Sequence, residues 1–266
     1  MQLAASNIAW VKEQDAEVYA LMQSCGYSGL EIAPTRWFPE APYEHIREAV
    51  TVSASVREQY GLSVCSMQSI WYGQTARIAE SAEARAHLLS YTEKSLAFAD
   101  AIGCGNLVFG CPKNRRVESE AEKRIVIDFL ADLAHLAERY SAVISLEANP
   151  AIYNTNFANT TREALQIVSE IGSPSLRVNL DFGTVIANGE SVESLREAVP
   201  WINHVHISEP LLKPIGEREE HLRLFQILSD EGYRGFVSIE MGRADDLAEI
   251  TKALKYVKGD FKAWKH

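Results

Sequence analysis

Eight short apolar runs, each followed by a longer stretch whose apolar residues recur at helical spacing, occupy this 266-residue chain from end to end. Runs of four to six residues have strand length and the longer stretches have helix length, and their strict alternation is the pattern of repeated βα units around a parallel sheet. The runs are Gln2–Ser6, Gly29–Ala33, Ser63–Gln68, Asn106–Phe109, Val143–Glu147, Arg177–Asp181, Ile202–Ile207 and Gly235–Glu240. The helical stretches are Asp15–Cys25, Tyr43–Tyr60, Ala82–Ile102, Ser119–Tyr140, Thr161–Ile171, Val192–Ala198, Glu217–Asp230 and Asp245–Tyr256. Several end in a glycine that leads into the next run, as in CGY, YGL, IGC, IGS and EGY, which is what a helix C-cap favours.

No Pro/Gly/Ser linker or charge run separates the units, and no GxGxxG follows the first run as an open dinucleotide-binding sheet would require. The expectation is an α/β chain forming a single (β/α)8 TIM-barrel domain over residues 1–266. At 47% hydrophobic content the chain has enough apolar residues for a sizeable core. The formal net charge of -10 disfavours nucleic acid, whose binding needs many Lys and Arg. The opening MQLAASNIAW lacks the basic and long apolar segments of a secretory leader, and no stretch reaches the length of a membrane span. Cys25, Cys65, Cys104 and Cys111 show no CxxC pairing, which favours reduced thiols and a cytoplasmic protein.

In such a barrel the C-terminal ends of the strands converge on one face, and that is where chemistry sits. The last four runs end at or beside Glu147, Asp181, His206 and Glu240. Three carboxylates brought close together repel and raise one another's pKa, a cost that a divalent cation removes. Oxygen-rich ligation with one His suits Mn²⁺ or Mg²⁺, with Co²⁺, Fe²⁺ and Zn²⁺ as alternatives. A lone acid at a strand end is equally well a helix N-cap, so the weight lies in four consecutive strands. His204 and His206 share a face at i, i+2 spacing; the deeper His204 reads as a hydrogen-bonded core or supporting residue, and His206 as the ligand. Asp181 also stands in DFG, a protein-kinase signature, but the Gly-rich loop, VAIK-type lysine and HRD-type loop that would accompany it are absent.

LEANP (Leu146–Pro150), LDFGT (Leu180–Thr184), HVHISE (His204–Glu209) and GYRGFVSIE (Gly232–Glu240) resemble the sugar isomerase/epimerase group of xylose-isomerase-like TIM barrels, which includes ketose 3-epimerases and hydroxypyruvate isomerases. The resemblance runs nearly the whole chain in order and is most specific in its second half. It implies one divalent metal held by Glu147, Asp181, His206 and Glu240, with Glu147 and Glu240 as the acid/base pair. A metal chelating a carbonyl and an adjacent hydroxyl acidifies the C–H between them and stabilises an enediolate, while two glutamates remove and return the proton. Return to the opposite face gives epimerisation, and return to the neighbouring carbon gives isomerisation.

The loops after the first four runs carry candidate substrate contacts. Trp10, Trp37, Trp71 and Tyr72 read either as an apolar wall for a carbon chain or as loop packing, and Glu31 and Gln68 as hydrogen-bonding groups for substrate or for supporting residues. Glu209, in the HVHISE segment, completes the candidate substrate contacts on that side. Lys113, Arg115 and Arg116 put three cations in the loop after the fourth run, and Lys213 adds one after His206. They point either to an anionic substrate group or to surface solvation. Lys113, closest to the strand, is the one expected to point inward. Thr184 stands where many epimerases of the group place a substrate-contacting His, which argues against a free ketohexose. The same position, with Gln68, argues against an endonuclease-IV-like multi-zinc site.

The sequence thus predicts a metal-dependent isomerase or epimerase of a small hydroxy-carbonyl compound, a sugar, sugar phosphate or keto acid. The alternatives are a dehydratase or lyase of the same fold, of the inosose or dehydroshikimate type, and a non-catalytic carbohydrate-binding descendant. The expected partner is the small molecule, with no membrane and no nucleic acid. Homo-oligomerisation is open, since no interface is legible.

Overall fold

The computed structural model describes residues 1–264. The eight runs form eight parallel strands: β1 (Gln2–Ser6), β2 (Gly29–Ile32), β3 (Ser63–Met67), β4 (Asn106–Phe109), β5 (Val143–Glu147), β6 (Leu176–Asp181), β7 (Ile202–Ser208) and β8 (Phe236–Glu240). They close in sequence order into a barrel, sealed by β8 against β1 from Gln2↔Phe236 to Ala5↔Ile239. This is the (β/α)8 fold.

The helices are α1 (Asp15–Cys25), α2 (Pro34–Trp37), α3 (Ile46–Tyr60), α4 (Ala82–Ala101), α5 (Glu120–Glu138), α6 (Thr161–Ile171), α7 (Phe182–Asn188), α8 (Glu219–Asp230) and α9 (Leu247–Trp264). Side-chain oxygens of Ser81, Ser119 and Thr160 cap α4, α5 and α6. The glycines of the five expected helix ends, Gly26, Gly61, Gly103, Gly172 and Gly232, all take left-handed φ. Among the described residues no helix is long and apolar enough to cross a membrane.

Three expectations are corrected. Tyr43–Glu44 does not begin α3, because Pro42 starts a separate 3-10 turn over Pro42–Glu44. Val192–Glu197 is a 3-10 helix and not an α-helix. The α-helix between β6 and β7 is instead α7, which starts one residue after Asp181 and has no apolar stripe long enough to show as periodicity.

The outward faces of the strands pack on the helices, with Leu107, Phe109, Ile144, Leu146, Val178, Leu180, Val205 and Val237 all buried. The lumen is polar. Low in the barrel, Ser145 Oγ donates to Asn106 Oδ1 (2.5 Å), Asn106 Nδ2 to Ser66 Oγ (2.9 Å) and Asn203 Nδ2 to Asn106 Oδ1 (2.7 Å). Register slips between Leu30 and Glu31 (β2–β3) and between Val178 and Asn179 (β6–β7) lie immediately before two lumen residues that meet His206.

Where β1, β2 and β8 meet, Gly29 permits their approach: a Cβ there would lie 2.6 Å from the Phe236 ring and 2.8 Å from the Ala4 Cβ. Gly29→Ala should therefore destabilise the barrel by about 1–3 kcal/mol, read as a lower denaturant midpoint. An unchanged midpoint would show that this seam is loose.

Candidate metal and acid–base site

Strands β5 to β8 deliver Glu147, Asp181, His206 and Glu240 to one end of the barrel, where one ligand atom from each lies within 4.8 Å of the others. His206 Nδ1 is 3.1 Å from Glu240 Oε2, 3.3 Å from Glu147 Oε2 and 3.2 Å from Asn179 Nδ2. Glu147 is held from both sides, its Oε1 accepting from Asn149 Nδ2 (2.7 Å) and its Oε2 from Asn179 Nδ2 (2.8 Å). Gly110 makes room for it, since a Cβ there would stand 3.1 Å from Oε1. Asp181 caps α7, its Oδ1 accepting from the Thr184 amide (2.5 Å) and its Oδ2 from Ser208 Oγ (2.7 Å).

Burial and the Glu147 charge raise the Asp181 pKa to about 6. Burial, with Glu147 and Asp181 charges adding to it, raises that of Glu240 to about 7. Burial opposes charge on His206, but the carboxylates of Glu240 and Glu31 outweigh it and hold the imidazole pKa well above its usual value. A cluster in which two carboxyls, Asp181 and Glu240, resist ionisation beside a third is a donor set suited to a divalent cation.

Beneath it, Glu31 and His204 are buried in the lumen. Glu31 Oε2 is hydrogen-bonded to His206 Nε2 (3.0 Å) and lies 2.9 Å from His204 Nε2, which is off the hydrogen-bonding direction. Burial would raise the Glu31 pKa, yet the two imidazoles, His206 foremost, drive it well below the usual range. Burial lowers the pKa of His204. Glu31, His206 and Asn179 thus form a connected set spanning β2, β7 and β6.

A cavity of about 230 Å³ opens over the cluster. Glu147, Asp181 and Glu240 line it with Gln68, Asn149, Tyr153, Cys111 and Leu212. Gln68 keeps its expected rim position, donating to Ser6 Oγ (2.7 Å) and Glu31 Oε1 (3.3 Å). Asn149, Tyr153 and Leu212 escaped the sequence reading because they come from irregular loops, where no periodicity marks a facing side chain. Leu211 and Leu212 both take left-handed φ, at 63° and 53°, and the Leu211 amide donates to Tyr153 Oη (2.8 Å).

Other expected contacts lie elsewhere. Trp10 and Trp71 are buried and do not line the cavity; their Nε1 groups donate to Asp15 Oδ1 (2.7 Å) and Thr92 Oγ1 (2.8 Å), and Trp71 packs edge-on against Phe109. Trp37 is buried, and Tyr72 is exposed. Thr184 Oγ1 is taken up by the Ala148 carbonyl (2.8 Å), and Glu209 is paired with Arg218 (2.6 Å) and pins the loop after β7. Glu31 is fully buried, stands outside the cavity lining and is hydrogen-bonded to His206.

The basic loop is also corrected. Lys113, Arg116 and Lys213 are exposed and do not line this cavity, whereas Arg115 is fully buried. Cys111 takes a left-handed φ of 43° and accepts from the Asn114 amide (3.1 Å), a turn that carries Lys113 outward and Arg115 back in. Arg115 Nη1 donates to the Glu147 carbonyl (2.7 Å) and Nη2 to Asn149 Oδ1 (2.9 Å). All four cysteines are free thiols.

Residues 19–259 match the family described as xylose isomerase-like TIM barrel. A human protein named "Putative hydroxypyruvate isomerase" is 27% identical over 265 residues, covering 92% of this chain and 91% of its own. Among solved structures, 3-keto-D-glucoside 4-epimerase from E. coli superposes with a TM-score of 0.76 at 20% identity, covering 97% of this chain and 99% of its own. D-psicose 3-epimerase from Clostridium cellulolyticum H10 superposes with a TM-score of 0.78 at 14% identity, covering 100% and 98%. At these identities the structural likenesses speak for the fold.

Proposed function

The chain belongs to the xylose isomerase-like TIM barrel family, and from that premise we propose that it is a divalent-metal-dependent isomerase or epimerase of a short hydroxy-carbonyl compound, acting by proton transfer through an enediolate. The observation that carries this reading is the convergence of Glu147, Asp181, His206 and Glu240 within 4.8 Å, with the three carboxylates lining a cavity and His206 buried beside them. A divalent cation held by these four would supply a Lewis acid that acidifies the C–H beside a carbonyl.

The remaining work falls to the chain. Glu147 and Glu240 come from β5 and β8, three strands apart on an eight-stranded ring, and so border the cavity from different directions. One takes the proton and the other returns it. Asn149 and Asn179 fix the Glu147 carboxylate, and Gln68, whose amide N–H groups are taken up by Ser6 and Glu31, offers its amide oxygen to a substrate hydroxyl. A cavity of about 230 Å³ is smaller than the roughly 300–1,000 Å³ of drug-sized sites, which favours a compound of a few carbons. The human relative's name makes hydroxypyruvate the first compound to test.

The purified protein should contain, or take up, one divalent ion, and in D2O it should exchange a carbon-bound proton of at least one compound in a panel of hydroxypyruvate, short ketoses and aldoses. Exchange without loss of mass supports the proposal. Loss of water would make the protein a dehydratase, and absence of both metal and exchange would point to a binding protein.

A further inference from the structure

We propose that Glu31 is the positioning residue that selects Nδ1 of His206, and not Nε2, as the metal-binding nitrogen. The inference rests on the reading of the Glu147, Asp181, His206 and Glu240 cluster as a metal centre.

The two ring nitrogens of an imidazole lie on different edges, and a neutral ring carries its proton on one of them. His206 Nδ1 faces Glu147 and Glu240, whereas Nε2 faces Glu31 Oε2 at 3.0 Å. A carboxylate only accepts, and both nitrogens face carboxylates. With a cation among Glu147, Asp181 and Glu240, Nδ1 must turn its lone pair to that cation, as it already faces the Asn179 Nδ2 donor (3.2 Å), and the proton belongs on Nε2 against Glu31. That is the arrangement in which a histidine ligand donates its second N–H to a carboxylate, fixing both tautomer and ring orientation.

Three further features restrict Glu31 to this role. It is 0% exposed and outside the cavity lining, so it meets neither solvent nor substrate. Its other oxygen accepts from Gln68 Nε2 (3.3 Å), which fixes the carboxylate plane. The slip in strand register falls between Leu30 and Glu31, where such an irregularity re-aims a side chain. A buried carboxylate is costly to keep, and packing alone would be served by an apolar residue of similar size. His204 Nε2 stands equally near the same oxygen but off its hydrogen-bonding direction, so it adds to the electrostatic hold on Glu31 while the directed contact goes to His206.

Zn²⁺, which is diamagnetic, serves as the probe. In the wild-type protein, ¹⁵N NMR of the histidine rings should show His206 Nδ1 responding to Zn²⁺ while Nε2 remains an N–H. Glu31→Gln keeps the size of the side chain and removes the charge, and calorimetric titration should show Zn²⁺ binding weakened by about 10–100-fold, with Glu31→Asp recovering part of it. A response at Nε2, or a folded Glu31→Gln protein that binds Zn²⁺ within threefold of wild type, overturns the inference. If Glu31→Gln does not fold, Glu31→Asp carries the test, and Zn²⁺ binding and Nδ1 response unchanged from wild type in that variant overturn the inference. Failure of the wild type to bind any divalent ion would instead overturn the metal-centre reading itself.

Discussion

Glu240→Gln is expected to slow substrate proton exchange in D2O on the order of a thousandfold, within the range that positioned acid–base groups contribute. Glu240 ends β8, lines the cavity and lies 3.1 Å from His206 Nδ1 through Oε2. Burial and the charges of Glu147 and Asp181 raise its pKa to about 7, which leaves the carboxylate basic against the lowering that a bound cation would bring. The amide of Gln retains the shape and one oxygen but accepts no proton at any working pH. Metal content must be measured beside exchange, because an amide oxygen is also a weaker ligand. A variant that keeps its metal and loses exchange isolates the proton-transfer role, and one that exchanges at the native rate removes Glu240 from the acid/base pair.

The second large effect concerns stability. Arg115→Met should cost about 3 kcal/mol of unfolding free energy, because it leaves two buried acceptors without their donor. Arg115 is fully buried, and burial lowers its pKa to about 10. It donates to the Glu147 carbonyl and to Asn149 Oδ1, so its removal strips a donor from two buried acceptors, each worth about 1–3 kcal/mol when left unmade. Part of that is regained because a cation no longer has to be desolvated. Denaturant titration of the two proteins gives the difference, and coincident curves would show that water or a rearranged loop replaces the guanidinium.

The strands were legible because a parallel sheet buried on both faces leaves short apolar runs between helical stretches, and their observed ends fall within about one residue of the expected ones. The convergence of Glu147, Asp181, His206 and Glu240 followed from the same logic, since strand ends in a closed barrel have a shared destination. What lies beyond the strand ends was not legible. Distance along the chain from β4 favoured Lys113 as the inward cation, yet a single left-handed residue at Cys111 made it Arg115. Trp10 and Trp71 show the same limit: an aromatic in a rim loop has the same appearance in sequence whether it faces a ligand or, as here, seals the space between loop and helix.

Helix α7 has no amphipathic signature and begins where the Asp181 carboxylate captures the Thr184 amide. That carboxylate also faces the cavity. Local folding and candidate chemistry therefore draw on one functional group, and substitutions at position 181 are constrained twice over. Asn could still cap the helix but would withdraw the charge; Glu would keep the charge but carry it past the amide. Sequence drift at this position has almost nowhere to go.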